Sequence, residues 1–328
     1  MNNPTRGEIA AAREIVVAHQ SATPLLHWPL LDARTGARIR VKHENHGRVG
    51  AFKLRGGLVY LHELVQREPA VRAVISATRG NHGQSIALAA AQHGLGAVIV
   101  VPHGNSVEKN AAMRALGAEL IEHGDDFQAA SDHAVALAQE RGLHRVPSFH
   151  ADLVRGVASY WMEVFEQVQP EFVVVPIGMG SGIAACAAAR AASGARSRIV
   201  GVVSAHATAY ADSFAAQRVV EAPVTTRLAD GLACRLPSAE ALSVILREVD
   251  EIVQVSDDEV AAAMRAFFAD THNVAEGAGA AALAAVLQQA ERWRGREIVL
   301  PLTGGNVDSA VFAQVLAGTG RGVGIIAP

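Results

Sequence analysis

The stretch FVVVPIGMGSGIAACAAAR, residues 172–190, passes from a valine-rich run through a glycine-rich loop into a run of alanines. The valine-rich run is short and β-branched, which favours a buried strand, whereas the alanines favour a helix. Glycine allows the intervening backbone to approach a ligand closely, and the free N–H groups of a helix's first turn attract anions. The stretch therefore predicts a βα unit whose turn binds a negatively charged group.

The same order of short apolar run and longer helical segment extends in both directions along the chain. Strands are predicted over residues 73–76, 97–101, 172–177, 199–203 and 298–302. Helices are predicted over residues 85–91, 107–116, 127–139, 183–192 and 260–268, besides an amphipathic helix at the N-terminus. Strands that alternate with such helices are typical of α/β proteins with parallel sheets.

Two stretches divide the chain. Residues 67–69 (REP) and 146–147 (VP) enclose a segment with the strand and helix spacing of a small self-contained unit. Proline often marks such boundaries. We therefore expect a small domain over residues 68–146 and a large domain formed by residues 1–67 and 147–328, with a ligand-binding cleft between them.

The composition is that of a globular enzyme that acts on small molecules. The 328 residues are 50% hydrophobic and 19% charged, which excludes disorder, and the net charge of -3 offers no broad basic surface for nucleic acid. No run reaches the roughly 18 apolar residues of a membrane-spanning helix. The N-terminus lacks the layout of a signal peptide, and the two cysteines, Cys186 and Cys234, are too few for a disulfide framework. We expect a cytoplasmic protein with no nucleic-acid or membrane partner.

A lysine lies between glycines in GAFKLRGG, residues 50–57. Lys53 follows Phe52, and an amine buried beside an aromatic ring has a lowered pKa and reacts readily with an aldehyde. The alternative is an exposed cation at a helix start, which is the commoner environment for lysine. Lys53 is therefore a candidate catalytic residue, and the assignment depends on what the other motifs of the chain indicate.

Polar residues crowd the segment SATRGNHGQ, residues 76–84, between a predicted strand and an alanine-rich helix. Its hydroxyls, amide and backbone N–H groups form a receptor for a substrate carboxylate, whereas capping alone explains only one or two of them. The planar fork of Arg79 suits a further anionic group, although Arg79 can equally face solvent or pair with an acid. The candidate substrate contacts are Ser76, Thr78, Arg79, Gly80, Asn81 and His82.

The candidate phosphate loop within the opening stretch consists of Gly178, Met179, Gly180, Ser181 and Gly182. Residues 180–185 also fit the dinucleotide pattern G-x-G-x-x-A, but that pattern expects an acid about 20 residues later, where Ser204 stands. A single phosphate is therefore the more economical ligand. Near the C-terminus, Thr303 precedes two glycines in LTGGN, where its hydroxyl either hydrogen-bonds a ring nitrogen or caps a helix.

In order and character these segments resemble those of the fold-type II pyridoxal-phosphate enzymes, particularly the serine/threonine dehydratases (threonine ammonia-lyases) and the serine racemases. The resemblance spans residues 23–308 and includes KHE at 42–44, ADG at 229–231 and EGAG at 276–279. It implies two α/β domains with parallel sheets, as in the tryptophan synthase β fold, with pyridoxal 5'-phosphate in the cleft. It also implies a homodimer and an amino-acid substrate.

The resemblance assigns a role to each motif. Lys53 would join the cofactor covalently, with Phe52 packed near its ring and Asn81 at the ring hydroxyl. Thr303 would meet the pyridine nitrogen, and Glu276 would either approach the ring or cap the helix that follows it. The phosphate would lie on Gly178, Met179, Gly180, Ser181 and Gly182.

A neutral hydroxyl at Thr303 does not hold the ring nitrogen protonated, which favours β-elimination over transamination. The implied reaction removes the α-proton with the Lys53 amine and expels the β-hydroxyl, with help from the cofactor phosphate or a nearby acid. A threonine- or serine-like 3-hydroxy amino acid would thus give a 2-oxo acid and ammonia. Because the chain ends soon after Thr303, we expect no regulatory domain and a catabolic or specialised role.

Two departures from the family pattern restrict the reaction and the metal requirement that the resemblance implies. Arg79 stands where serine racemase-like members carry the serine that delivers a second proton, which argues against two-base racemisation. Residues 204–211 contain no carboxylate where metal-dependent members place acidic ligands, so no divalent cation is expected. The alternatives are β-elimination on a bulkier or acidic 3-hydroxy amino acid, a racemase of this fold, and a nucleotide-binding module that is not an enzyme.

Overall fold

The computed structural model describes Met1 and residues 3–318. The strands in this part of the chain are β1 (Leu25–His27), β2 (Arg38–His43), β3 (Ala73–Ala77), β4 (Gly96–Val101), β5 (Glu119–Glu122), β6 (His144–Arg145), β7 (Phe172–Pro176), β8 (Arg198–Ser204), β9 (Glu251–Val255) and β10 (Glu297–Leu302). The helices are α1 (Arg6–Val17), α2 (Pro29–Thr35), α3 (Lys53–Arg67), α4 (Asn81–Gln92), α5 (Val107–Ala115), α6 (Phe127–Arg141), α7 (Ala151–Phe165), α8 (Ser181–Ser193), α9 (Ala209–Ala216), α10 (Ala239–Glu248), α11 (Asp257–Thr271), α12 (Gly277–Gln288), α13 (Ala290–Trp293) and α14 (Ser309–Leu316). None of these helices is long and apolar enough to cross a membrane.

Two sheets organise the molecule. The larger has six strands in the order β1-β2-β10-β7-β8-β9, and every neighbouring pair is parallel except β1 with β2. The smaller has four parallel strands in the order β5-β4-β3-β6, all of them between residues 73 and 145. Parallel neighbours need crossover connections, which the helices supply. The α/β class with parallel sheets that the sequence predicts is therefore confirmed.

The larger sheet is buried on both faces. In β7, Val174 joins the core that contains α11 and α12, whereas Val173 and Val175 join the core that contains α7 and α8. Successive side chains of a strand point to opposite faces, so a strand covered on both sides must be apolar throughout. This explains the unbroken valine run that follows Phe172.

The predicted strands and helices all form, with bounds that differ by a few residues. The largest shift is in α4, which begins at Asn81 instead of residue 85 because Gly80, at φ 152°, allows the polar residues after it to turn directly into the helix. Helix α11 begins at Asp257, behind a capping box between Ser256 and Glu259.

The fold brings three loops to one place. These loops follow the carboxyl ends of β3, β7 and β10, and residues from all three line a single cavity. Helix α3 begins at the same cavity with Lys53 and packs Leu58 and Leu61 into the core of the smaller sheet. Ligands of open parallel sheets bind beyond the carboxyl ends of the strands. The cavity therefore lies where the fold class predicts a ligand.

Candidate active site

The cavity, called the active-site cavity below, encloses about 930 Å³ including its open mouth. Nearly all the site residues predicted from the sequence line it, and they are Phe52, Lys53, Thr78, Arg79, Gly80, Asn81, His82, Gly178, Met179, Gly180, Ser181, Gly182, Glu276 and Thr303. Ser76 does not, because its hydroxyl is buried and donates to the carbonyl oxygen of Val146 at 3.0 Å. The prediction that Ser76 contacts substrate is therefore corrected: its side chain ties β3 to the backbone near β6.

Among the described residues, no carboxylate lies at hydrogen-bond distance from Lys53. The chain holds three lysines, and Lys42 donates to Glu163 at 2.5 Å while Lys109 donates to Asp230 at 2.6 Å. The Lys53 ammonium instead donates to the hydroxyl of Ser181. Its amine is thus held by a neutral group and remains able to lose its proton.

The surroundings of Lys53 favour the neutral amine. Its Nζ lies 3.1 Å from the Ser181 hydroxyl and 4.8 Å from the centroid of the Phe52 ring. Burial lowers the pKa of Lys53 to about 8, although the negative charge of Glu276 opposes the shift. A lysine with a pKa in this range supplies a nucleophilic amine near neutral pH.

The candidate phosphate loop is held in a shape that requires glycine. Gly180 has a φ of 96° and occupies the N-cap position of α8, and a Cβ there would lie 2.6 Å from the Cβ of Ala241. A Cβ on Gly178 would lie 2.2 Å from the carbonyl oxygen of Gly231. The Tyr210 hydroxyl donates to the carbonyl oxygen of Met179 at 3.1 Å and fixes the intervening peptide. The first N–H groups of α8 have no acceptor within their own helix, so the loop suits an anion.

Glu276 turns its carboxylate into the cavity. It occupies the N-cap position of α12 but forms no capping hydrogen bond, so the structure decides against the capping alternative. Its Oε1 accepts a hydrogen bond from Asn81 Nδ2 at 2.5 Å, and Asn306 Nδ2 donates in turn to Asn81 Oδ1 at 2.8 Å. Its buried Oε2 forms an ion pair with Lys109, whose Nζ lies 3.3 Å away. Burial raises the pKa of Glu276, against the opposing charge of Lys109.

Lys109, which no sequence motif predicts as a site residue, is buried in the wall of the cavity. It lies in the first turn of the amphipathic helix α5, where no local motif singles it out. Its ammonium lies between Asp230 and Glu276. Burial alone would lower the pKa of Lys109, but the two carboxylates raise it above the usual value. Lys109 is therefore a fixed positive charge beside Glu276.

Thr303 and the turn before Lys53 are joined through their backbones. The N–H of Phe52 donates to the carbonyl oxygen of Thr303 at 3.0 Å, and Ala51 and Gly304 form a β-bridge. The pairing places the Thr303 hydroxyl, at the end of β10, in the same cavity as the Lys53 amine.

His82 is buried behind Asn81. Burial lowers the pKa of His82 to about 3, and the nearby charge of Lys53 adds to the shift. Its Nε2 has no hydrogen-bond partner among the described residues. The imidazole is therefore neutral at physiological pH and does not serve as an acid of ordinary strength.

The groups in this cavity fit pyridoxal 5'-phosphate. An amine of lowered pKa suits the aldehyde, the glycine loop at a helix N-terminus suits the phosphate, and the hydroxyl of Thr303 suits a ring nitrogen. Among the described residues, no group of three or more His, Cys, Asp or Glu side chains is arranged to hold a metal ion.

Comparisons with known proteins agree with this fit. The family described as "Pyridoxal-phosphate dependent enzyme" matches residues 16–304. The L-threonine ammonia-lyase of Geobacter sulfurreducens is 35% identical over 306 residues, which are 91% of this chain and 76% of that protein. The L-threo-3-hydroxyaspartate ammonia-lyase of Saccharomyces cerevisiae is 30% identical, over 96% of this chain and 97% of that protein.

A solved structure shows the same fold. The processed form of threonine deaminase isoform 2 from Solanum lycopersicum superposes with a TM-score of 0.86 at 28% identity, covering 97% of this chain and 92% of that one. At 97% coverage of this chain, the likeness includes both sheets. The chain therefore belongs to the family of pyridoxal-phosphate-dependent enzymes, with the fold-type II architecture.

Proposed function

We propose that this enzyme is an ammonia-lyase that takes a threonine- or serine-like 3-hydroxy amino acid to a 2-oxo acid and ammonia. The observation that carries the proposal is the Lys53 amine, free of any carboxylate partner, in one cavity with a glycine loop and a neutral hydroxyl at Thr303. The threonine ammonia-lyase and threonine deaminase among the relatives support the same reaction. Family membership also argues against the nucleotide-binding module.

The cofactor would be held by the residues that surround Lys53. Lys53 would bond to its aldehyde, and the ring would lie near Phe52 with Asn81 and Glu276 at its edge. Thr303 would face the pyridine nitrogen, and the phosphate would lie on Gly178, Met179, Gly180, Ser181 and Gly182. When bound, this group supplies a conjugated ring that accepts the electron pair released at the substrate's α-carbon.

The protein's own part in the reaction is to move one proton and to position the substrate. Lys53, with a pKa of about 8, accepts the α-proton, and the Ser181 hydroxyl at 3.1 Å keeps its amine in place. Thr303 carries no negative charge that would keep a proton on the ring nitrogen, so the electron sink is weak and suits prompt loss of the β-hydroxyl.

The substrate's α-carboxylate would lie at the N-terminus of α4. Thr78 Oγ1 accepts hydrogen bonds from the N–H groups of Gly80 and Gly83, at 2.9 and 3.3 Å, so this hydroxyl shapes the loop. The other N–H groups of the first turn have no acceptor within the helix and can receive a carboxylate. Thr78 would thus position the donors without binding substrate through its own oxygen.

The test is to locate the cofactor and remove its lysine. Borohydride reduction of the loaded protein should fix the cofactor on the peptide that contains Lys53, as read by mass spectrometry. Lys53→Ala should abolish release of 2-oxo acid from L-threonine and L-serine while circular dichroism shows an intact fold. Attachment to Lys42 or Lys109 would overturn the assignment.

We further propose a cytoplasmic homodimer with a catabolic role, in which residues 68–146 form a small domain set into a large one. The clustering of all four strands of the smaller sheet between residues 73 and 145 supports this division, and the buried free thiols Cys186 and Cys234 suit a reducing compartment. Light scattering of the purified holoenzyme should give the mass of two chains.

A further inference from the structure

Arg79 is a guanidinium in the wall of the active-site cavity that has no acidic partner. It is half-buried, and among the described residues no hydrogen bond or ion pair involves its side chain. A guanidinium carries five N–H donors and stays charged at every physiological pH. Two alternatives to a binding role were an ion pair with an acid and free exposure to solvent. The described residues exclude the ion pair, and the half-burial of Arg79 argues against free exposure.

Arg79 lies where the active-site cavity opens outwards. It lines both that cavity and a larger outer cleft, whose charged walls include Asp126, Arg145, Glu221 and Arg235. A substrate group that extends from Lys53 towards the opening would therefore pass Arg79.

The acidic side chains around this opening are either paired with cationic side chains or exposed to solvent. In the outer cleft, Arg235 lies 2.6 Å from Glu221 and 3.8 Å from Asp126, while Asp125 is exposed and beyond ion-pair distance of Arg79. In the active-site cavity, Asp230 and Glu276 share the ammonium of Lys109. The positive charge of Arg79 is thus left uncompensated by the protein.

The α-carboxylate of the substrate does not need Arg79, since the N-terminus of α4 can receive it. We infer that Arg79 binds a second carboxylate, carried on the β-carbon, and that the preferred substrate is an acidic 3-hydroxy amino acid. This inference rests on the proposed function and specifies its substrate class. The fork of the guanidinium matches a carboxylate with two parallel hydrogen bonds.

The reaction needs no further reactant. The α-proton passes to the Lys53 amine, the Cβ–O bond breaks, and the hydroxyl leaves with a proton as water. The resulting double bond shifts to an imine, which one water molecule hydrolyses to ammonia and a 2-oxo acid. For 3-hydroxyaspartate the net products are one ammonia and one four-carbon 2-oxo diacid, with no change in total oxidation state.

The first experiment compares L-threo-3-hydroxyaspartate with L-threonine as substrates of the holoenzyme. Arg79→Met keeps the length of the side chain and removes its charge, and should lower kcat/KM for the acidic substrate about 10- to 100-fold more than for threonine, the range of one charge-assisted hydrogen bond. The loss should appear mainly in KM. Arg79→Lys should recover part of it.

The matched control is Arg145→Met, which removes an exposed guanidinium of the outer cleft that forms no ion pair with any described residue. It should leave the ratio of the two kcat/KM values unchanged. An equal loss of kcat/KM for both substrates in Arg79→Met would assign Arg79 to the α-carboxylate and overturn the inference. The inference would also be overturned if Arg79→Met lost no activity on either substrate.

A second measurement does not depend on turnover. Succinate and butyrate have four carbons each and differ by one terminal carboxylate. Calorimetry with the holoenzyme should show tighter binding of succinate, and Arg79→Met should remove the difference. Suppose that the wild-type enzyme converts threonine but shows neither a preference for 3-hydroxyaspartate nor tighter binding of succinate. In that case only the inference fails. If it releases no 2-oxo acid from either substrate, the proposed function fails.

Discussion

The reactivity of Lys53 is set by the groups around it more than by its own position in the sequence. Burial lowers the pKa of its amine to about 8, and Glu276 holds the value from falling further. Glu276 is in turn fixed by Asn81 and Lys109, which come from other helices. The motif around Lys53 thus predicts the nucleophile, but the tuning of its pKa depends on contacts that only the folded chain creates.

Glu276→Gln should lower the pKa of Lys53 below about 8. The carboxylate stabilises the protonated amine, so its removal favours the neutral amine at a given pH. The rate at which acetic anhydride labels Lys53 in the cofactor-free protein, measured against pH by mass spectrometry, should rise at lower pH than in the wild type. Glu140→Gln, which changes an exposed acid of α6, is the control and should leave the curve in place. A curve that moves to higher pH in Glu276→Gln would contradict the assigned charge effect.

At the scale of elements, local composition predicts the strands that are apolar on both faces and misses those that carry charge. Strand β7 (FVVVP) is predicted from its valines, whereas the sequence pattern does not predict β2 (RIRVKH), β5 (ELIE) or β9 (EIVQV). In β2, Arg38 and Arg40 both pair with Glu297 of the neighbouring strand β10, at 3.9 and 3.2 Å. Such pairing is a property of the sheet, so a single strand's pattern cannot reveal it.

The turn between β7 and α8 requires glycine for contact with a distant segment as well as for its own conformation. Gly178→Ala would place a methyl group 2.2 Å from the carbonyl oxygen of Gly231 and force the loop away from it. Such overpacking costs about 1–3 kcal/mol. If the strain falls on the loop conformation that binds the cofactor, affinity for the cofactor should drop about 5- to 150-fold. Fluorescence titration of the cofactor-free protein with pyridoxal 5'-phosphate measures the affinity.

The control for this glycine substitution is Gly7→Ala, in α1, where an added methyl group meets nothing within 4 Å. It should leave cofactor affinity as in the wild type. Equal affinities for the two variants would show that the loop tolerates the methyl group and does not need its present shape to hold the phosphate.

At the scale of the whole molecule, a buried network of charges joins three parts of the chain beneath the active site. Its members are Lys42, Glu44, Arg55 and Glu163, each at most 2% exposed. Arg55 donates to Glu44 at 2.8 Å and to Glu163 at 2.7 Å, so it links the end of β2 to α7. Arg55 lies on α3 two residues after Lys53, so the same network anchors the helix that presents the Lys53 amine.

Arg55→Met should destabilise the protein far more than the loss of a surface ion pair does. It leaves the carboxylates of Glu44 and Glu163 buried with only Lys42 to compensate them, and removing one partner of a buried pair costs about 3–5 kcal/mol. The matched comparison is Arg13→Met, which breaks the pair of Arg13 with Glu166, whose side chains are 34% and 44% exposed, and should cost less than about 1 kcal/mol. Urea unfolding followed by circular dichroism gives both values. Similar midpoints for the two variants would mean that water or repacking compensates the buried carboxylates, and that the network does not hold α3 in place.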